Sequence, residues 1–119
     1  MPIDERTHRA WLESALRDKN IKLFIAEQSQ TPVGTVRLDF GADCEVSWTV
    51  APAARGMGIG RRMVWQVVRH VKQPMRAVAK TSNIASQRIA YAAGFDLVEF
   101  DEDWLIFRRN ASISEREDG

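Results

Sequence analysis

The chain has 119 residues, 45% hydrophobic and 28% charged, values that suit one globular domain with a real core and no second domain. Its 17 basic and 16 acidic residues nearly cancel, so no overall field argues for a nucleic-acid or membrane partner, and any basic function is local. The single cysteine, Cys44, excludes an intrachain disulfide and a cysteine-built zinc site and suits a reducing, cytoplasmic location; no signal peptide or membrane-length apolar run is read.

Residues 4–18 read as a helix, because Trp11, Leu12, Ala15 and Leu16 recur on one face while Arg6, Arg9, Glu13 and Arg17 fall elsewhere. Lys19-Asn20 ends it. Residues 22–28 are apolar enough for a strand, 28–32 form a turn cluster ending in Pro32, and 33–40 return as the second arm of a hairpin. That arm alternates, with Gly34, Val36, Leu38 and Phe40 on one face against Val33, Thr35, Arg37 and Asp39. After the turn at 41–43, residues 45–50 form a third strand with Val46, Trp48 and Val50 opposite Glu45, Ser47 and Thr49. Pro52 cannot continue a ladder and ends it.

From Gly58 to about Lys72, Ile59, Met63, Val64, Val67, Val68 and Val71 recur at helical spacing, and Pro74 stops the pattern. Residues 75–80 make a short strand, so the crossover is right-handed and the two strands it joins are parallel. A further helix starts at Ser82 or Asn83 as N-cap and ends with Gly94 at C′. Residues 95–100 and 104–109 close the domain as a hairpin around Asp101-Glu102-Asp103, and 111–119 read as a disordered polar tail beyond a domain spanning 1–110.

The most informative stretch is Val50-Ala51-Pro52-Ala53-Ala54-Arg55-Gly56-Met57-Gly58-Ile59-Gly60-Arg61-Arg62. It runs from a strand exit through alternate glycines into a helix start. Glycine adopts positive φ freely and lets a ligand approach the backbone, and the first amides of a helix, with its dipole, attract an anion. Arg55, Arg61 and Arg62 add full charges. The bland alternative is a glycine-rich connector with solvated arginines. A Walker loop would need Gly-Lys-Ser/Thr and a dinucleotide turn Gly-x-Gly-x-x-Gly, and neither is present here.

Arg55-Gly56-Met57-Gly58-Ile59-Gly60 matches the Arg/Gln-x-x-Gly-x-Gly/Ala form, and Asn83, Ser86, Tyr91 and Gly94-Phe95 follow. In these two segments the chain resembles the GCN5-related N-acetyltransferase (GNAT) family. The resemblance implies an α+β fold: a mixed, mostly antiparallel sheet with one central parallel strand pair flanked by helices. The two parallel strands splay, and the pantetheine arm of acetyl-CoA inserts between them, with no metal. The family's opening strand and helix have no counterpart in this reading, so a longer parent protein or a homodimer would complete the acceptor site.

For chemistry, the resemblance implies cofactor contacts from Thr49, Val50, Arg55, Gly56, Met57, Gly58, Ile59, Gly60, Arg61, Asn83 and Ser86. Backbone N–H groups near Thr49 and Val50 would hold the oxyanion. Glu45 is the candidate base and Tyr91 the candidate acid, since a phenol is protonated at neutral pH and can give its proton to a departing thiolate. Their bland readings are a solvated or ion-paired carboxylate and a core tyrosine with a satisfied hydroxyl. Cys44 lacks an activating histidine; His8 and His70 read as surface residues, and Trp48 is a candidate for the acceptor wall. The expected function is acetyl transfer from acetyl-CoA to a primary amine by direct attack in a ternary complex, the amine being a metabolite, an amino sugar or a protein N-terminus. The alternative is a non-catalytic acyl-CoA-binding or assembly domain. Arg61, Arg62, Arg69 and Arg88 are scattered without an aromatic platform, which argues against nucleic acid.

Overall fold

The structure, a computed structural model, describes the backbone of residues 12–15 and all of residues 20–110. These residues form one seven-stranded sheet with two α-helices. The strands are β1 (Leu12–Ala15), β2 (Ile21–Gln28), β3 (Thr31–Phe40), β4 (Cys44–Val50), β5 (Met75–Lys80), β6 (Asp96–Phe100) and β7 (Trp104–Arg109). The helices are α1 (Ile59–Val68), between β4 and β5, and α2 (Ile84–Ala92), between β5 and β6. The spatial order is β1-β2-β3-β4-β5-β7-β6, and every neighbouring pair is antiparallel except the β4/β5 pair.

Alternation decides which face is covered. Val36, Leu38, Cys44, Val46, Met75, Ala77 and Phe107 share one face through the strand register, and all are buried. Helix α1 lies on that face over β3 and β4, while α2 lies beside α1 and over β5. The apolar stripe of α1, Ile59, Met63, Val64, Val67 and Val68, is buried, as its spacing requires. Gly34 is where the helix comes closest: a Cβ there would stand 2.7 Å from the Met63 sulfur and 2.7 Å from the Thr49 carbonyl. On the opposite face Arg37, Asp39, Glu45, Ser47 and Thr49 are exposed.

The caps explain where the helices end. Asn83 caps α2 by accepting the Ser86 amide at 3.0 Å. At the other end Gly94 has φ +90°, Gly94 N–H donates to the Tyr91 carbonyl and Phe95 N–H to the Ala90 carbonyl, the paired bonds of a Schellman motif. Helix α1 is shorter than the expected run to Lys72: it ends at Val68, and His70 and Val71 close it with tighter bonds to Val67 and Val68. Arg109, the last residue of β7, joins both helix ends, donating from Nε to the Ala93 carbonyl at 2.9 Å and from Nη1 to the Val68 carbonyl at 3.5 Å. Partial burial pulls its guanidinium below its ordinary pKa.

One expected element is replaced. Leu12–Ala15 is a strand rather than part of a helix, paired antiparallel with β2 from Leu12 opposite Ile25 to Ala15 opposite Lys22. The rest of the expected helix, 4–11 and 16–18, lies outside the described residues, as does the tail 111–119. The physical reason is tertiary. The outer edge of β2 carries backbone groups that need partners, and pairing them outweighs a weak local helical periodicity. Among the described residues the sheet therefore begins with a strand where a helix is expected.

Candidate cofactor cleft

The parallel pair supplies the opening. Strands β4 and β5 are in register only at Cys44 with Met75 and Glu45 with Arg76. Beyond that point Val46–Val50 pairs only with β3, and Ala77–Lys80 only with β7. The two strands splay toward their carboxyl ends, where open sheets take their ligands. A cleft of about 920 Å³ fills the wedge, walled by Trp48, Thr49 and Val50, by the loop and start of α1, and by Lys80 with the first turns of α2.

Which amides face the wedge follows from alternation. Ala51 N–H donates to the Val33 carbonyl on the β3 side, while Cys44 N–H donates to Pro74 on the β5 side. In an antiparallel ladder successive residues alternate sides, so Thr49 turns its N–H to β3 while Trp48 and Val50, beyond the last β4/β5 pair, turn theirs to the splay. The Val50 carbonyl points the same way and accepts Arg55 Nε at 3.2 Å. Of the two amide positions expected to hold an oxyanion, Val50 thus faces the wedge. Thr49 does not: its amide belongs to the ladder, and its hydroxyl meets that of Thr35 at 2.8 Å. Trp48, read from the sequence only as a wall residue, is the other amide facing in.

The loop after β4 folds as the glycine spacing requires, for two different reasons. Gly56 has φ +82° and Gly58, the N-cap of α1, φ +76°, a backbone region that side chains disfavour. Gly60 is an ordinary helical residue, and its requirement is space. A Cβ there would stand 2.5 Å from Ile89 Cδ1 and 3.0 Å from Val50 Cγ2, so the start of α1 touches both β4 and α2. No side chain caps α1 and no acidic residue occupies its first turn. The amides of Ile59, Gly60 and Arg61 therefore head the helix without intrahelical acceptors. The guanidinium ends of Arg61 and Arg62 come within 3.4 and 3.6 Å of a Cβ built on Gly58. Open amides, a helix dipole and adjacent cations together fit a pyrophosphate.

Arg55, Gly56, Gly58, Ile59, Gly60, Arg61, Asn83 and Ser86 all line this cleft with Thr49 and Val50. Met57 is not among the lining residues and is 52% exposed. Lys80 and Arg88 also line it, and the sequence reading did not assign them. Their signal was proximity to Asn83: Lys80 ends β5 and Arg88 lies on the helix that Asn83 caps.

The two candidate catalytic residues lie elsewhere. Glu45 marks the foot of the splay, with Oε1 3.2 Å from Arg76 Nη1, and is not part of the cleft lining. Tyr91 packs edge-on against Phe107, ring centroids 5.3 Å apart, is 53% exposed, and is also outside the lining. Its hydroxyl has no hydrogen-bond partner among the described residues, which removes the reading of a buried, satisfied phenol. Cys44 is buried, and burial pushes its thiol up to about 11, which keeps it protonated and poorly nucleophilic. Among the described residues no group of His, Cys, Asp and Glu is gathered that could hold a metal ion, and no helix is long and apolar enough to cross a membrane.

Known proteins share this fold. The Acetyltransferase (GNAT) family model matches residues 2–95. No curated protein matches the chain. Among solved structures, the Campylobacter jejuni N-acetyltransferase PseH in complex with acetyl coenzyme A superposes with TM-score 0.67 at 17% identity, over 81% of this chain and 72% of that one. Spermidine N-acetyltransferase from Vibrio cholerae in complex with CoA and spermine gives TM-score 0.70 at 16% identity, over 82% and 69%. Mutant forms of the spermidine/spermine N-acetyltransferase SpeG from Vibrio cholerae give 0.70 at 14%, over 88% and 75%. The strand splay, the glycine cradle and the matched family model lead to one conclusion: the chain belongs to the acetyltransferase (GNAT) family, as an enzyme that uses acetyl-CoA as co-substrate.

Proposed function

We propose that the chain transfers the acetyl group of acetyl-CoA to a primary amine by direct attack of the amine on the thioester, both substrates being bound together. The observation that carries this reading is the continuity of the cradle with the splay: the amides at the start of α1 and the free amides of β4 line one cleft. The cradle holds the pyrophosphate through Gly58, Ile59, Gly60 and Arg61, with Arg55 fixing the loop to Val50. Asn83, Ser86 and the inward amides of β4 hold the pantetheine arm, and the N–H groups of Trp48 and Val50 are the donors for a developing oxyanion. The nitrogen of the neutral amine forms the new bond to the carbonyl carbon, the carbon–sulfur bond breaks, Tyr91 gives the departing thiolate its proton, and the proton shed by the nitrogen passes to solvent water, from which the phenolate is reprotonated. Glu45 is held by Arg76 at the foot of the splay, which supports a role in fixing where the strands part more than one as base. An amine acceptor agrees with the spermine bound to the Vibrio cholerae relative.

A second reading is an acyl-CoA-binding domain without turnover. One observation favours it: neither Glu45 nor Tyr91 lines the cleft. The experiment separating the two pairs a CoA titration with a thiol-release assay over a panel of amines, in wild type and in Gly58→Val. A β-branched residue at φ +76° is strained and fills the cradle, so the variant is expected to lose CoA binding and turnover while keeping a folded core. Unchanged CoA affinity in folded Gly58→Val would sink the cradle; tight CoA binding with no thiol release from any amine in wild type would favour the second reading.

A further inference from the structure

The cleft passes through the sheet from one face to the other. Trp48 and Val50 line it from the helix-covered face, where Val50 stands against the start of α1 at Gly60. Thr49 and Lys80 line it from the opposite face: Thr49 is beside Thr35, and Lys80 alternates with the buried Met75, Ala77 and Ala79. Glu45 is opposite Arg76 in the last paired rung, so four residues further on Thr49 and Lys80 are level with each other across the parted strands. The cradle thus lies on the helix side and the Lys80 side chain on the helix-free side. Strand amides point along a sheet and not out of it, so the N–H groups of Trp48 and Val50 leave only the two faces for an incoming amine. Helices α1 and α2 cover one of them.

On the helix-free face Lys80 is the cation without a counter-charge. Arg37 is answered by Asp39 at 4.0 Å, Arg76 by Glu45 at 3.2 Å and Arg108 by Asp43 at 2.8 Å. Among the described residues Lys80 enters no salt bridge, and its Nζ lies 5.7 Å over the ring of Trp104, its partner in the β5/β7 register. The nearby carboxylates do not neutralise it. Asp96 and Glu99 share the face but stand on β6, with β7 between them and β5. The Asp101–Asp103 turn is tied to the end of β5 by Thr81, which donates to the Asp103 and Glu102 carbonyls at 2.9 and 2.8 Å. Yet the Asp101 carboxylate is occupied by the Asp103 and Trp104 amides, and none of the three acids lines the cleft. Among the described residues the charged groups that do line it are all basic: Arg55, Arg61, Lys80 and Arg88.

We infer that the amine accepted by this enzyme carries an anionic group, a carboxylate or a phosphate, which Lys80 binds on the helix-free side of the cleft. The inference rests on the acetyl-transfer reading and adds the class of acceptor to it. The Trp104 ring restricts where the Lys80 ammonium can go, and an ammonium held there forms a charge-assisted hydrogen bond to a carboxylate or phosphate oxygen. The same charge acts against an acceptor with a second ammonium, such as a polyamine, because like charges brought together repel. Lys80 is therefore a specificity residue for the acceptor, while the amides and arginines of the cradle serve the cofactor.

The test pairs amines that differ in charge: alanylalanine with its C-terminal amide, and glucosamine 6-phosphate with glucosamine, with spermidine as the cationic member. Each is titrated calorimetrically into protein saturated with CoA, which has no acetyl group to give, and kcat/KM is then measured with acetyl-CoA. In wild type at least one anionic amine is expected to bind about tenfold more tightly than its neutral counterpart, with spermidine weaker than either. Which pair shows the difference tells a carboxylate from a phosphate. Lys80→Met keeps the aliphatic stem over Trp104 and is expected to bring that ratio close to one, while acetyl-CoA affinity stays within about twofold. Lys80→Glu is expected to reverse the preference in favour of spermidine. Spermidine preferred by wild type overturns the inference, as does an anionic preference that survives Lys80→Met. A loss of acetyl-CoA affinity in Lys80→Met as large as the loss for the anionic amine assigns Lys80 to the cofactor and overturns it too. Turnover indifferent to acceptor charge removes this inference alone, whereas acetyl-CoA binding with no amine acetylated removes the acetyl-transfer reading beneath it.

Discussion

Gly60→Ala tests the contact that holds the two walls of the cleft together. The added methyl would stand 2.5 Å from Ile89 Cδ1, 3.0 Å from Val50 Cγ2 and 3.2 Å from Ile89 Cγ1. Carbon pairs prefer roughly 3.5–4.0 Å, so α1 and α2 must separate by about 1 Å or Ile89 must leave its rotamer. Overpacking of this kind costs about 1–3 kcal/mol, against a helix-propensity gain of at most about 1 kcal/mol near a helix start. The expected net result is a loss of about 1 kcal/mol, a few degrees in melting temperature for a domain of this size. CoA affinity should fall as well, because the separation moves the amides of α1 away from Asn83 and Ser86 on the opposite wall. Ile89→Val removes Cδ1, the atom met first, and alone costs roughly 0.5–1.5 kcal/mol. The double variant is then expected to be more stable than the two single effects predict, by about 1 kcal/mol. Urea unfolding of the four proteins supplies the cycle. A Gly60→Ala protein as stable as wild type, or strict additivity with Ile89→Val, would refute the close-contact account.

Tyr91→Phe keeps the ring on Phe107 and removes a hydroxyl that has no partner among the described residues, so stability and CoA affinity should be unchanged; if Tyr91 is the proton donor, turnover falls roughly 10²- to 10⁴-fold, and wild-type turnover would end that role. Arg109→Met preserves the aliphatic stem and deletes the bonds to Ala93 and Val68, with an expected cost of about 2 kcal/mol in urea unfolding. Arg109→Lys should recover only part of this, because an ammonium cannot serve two diverging carbonyls as a planar fork does. Equal stability of Arg109→Met and wild type would show that the two helix ends hold without the arginine.

Much of the fold is written in neighbouring residues. Alternation along β3 and β4, the apolar stripe of α1, the Asn83 cap and the Gly94 terminus are local patterns, and each reappears in the structure because one element's geometry suffices to explain it. The glycine loop is local in the same sense, since Gly56 and Gly58 need positive φ whatever surrounds them. Local pattern fails at residues 12–15, where a helical spacing gives way to pairing with the open edge of β2. The hairpin turn read at residues 28–32 is present, but local pattern does not show its left-handed geometry, with the non-glycine residues Ser29 and Gln30 at φ +51° and +69°.

The site needed the sheet. That β4 and β5 part after Glu45 depends on where two distant strands cease to pair, and which amides then face the wedge depends on the ladder to β3. From sequence, Thr49 and Val50 are equally good donors; in the fold their N–H groups point in opposite directions. Glycine at 60 looks like a third flexible link, and proves to be a gap sized for Ile89. Residue type and spacing determine what a segment can do alone: turn, cap a helix, present amides to an anion. Tertiary structure alone decides which side chain shares a wall with which, because burial, register and ion pairing join residues as distant along the chain as Glu45 with Arg76 and Arg109 with Val68.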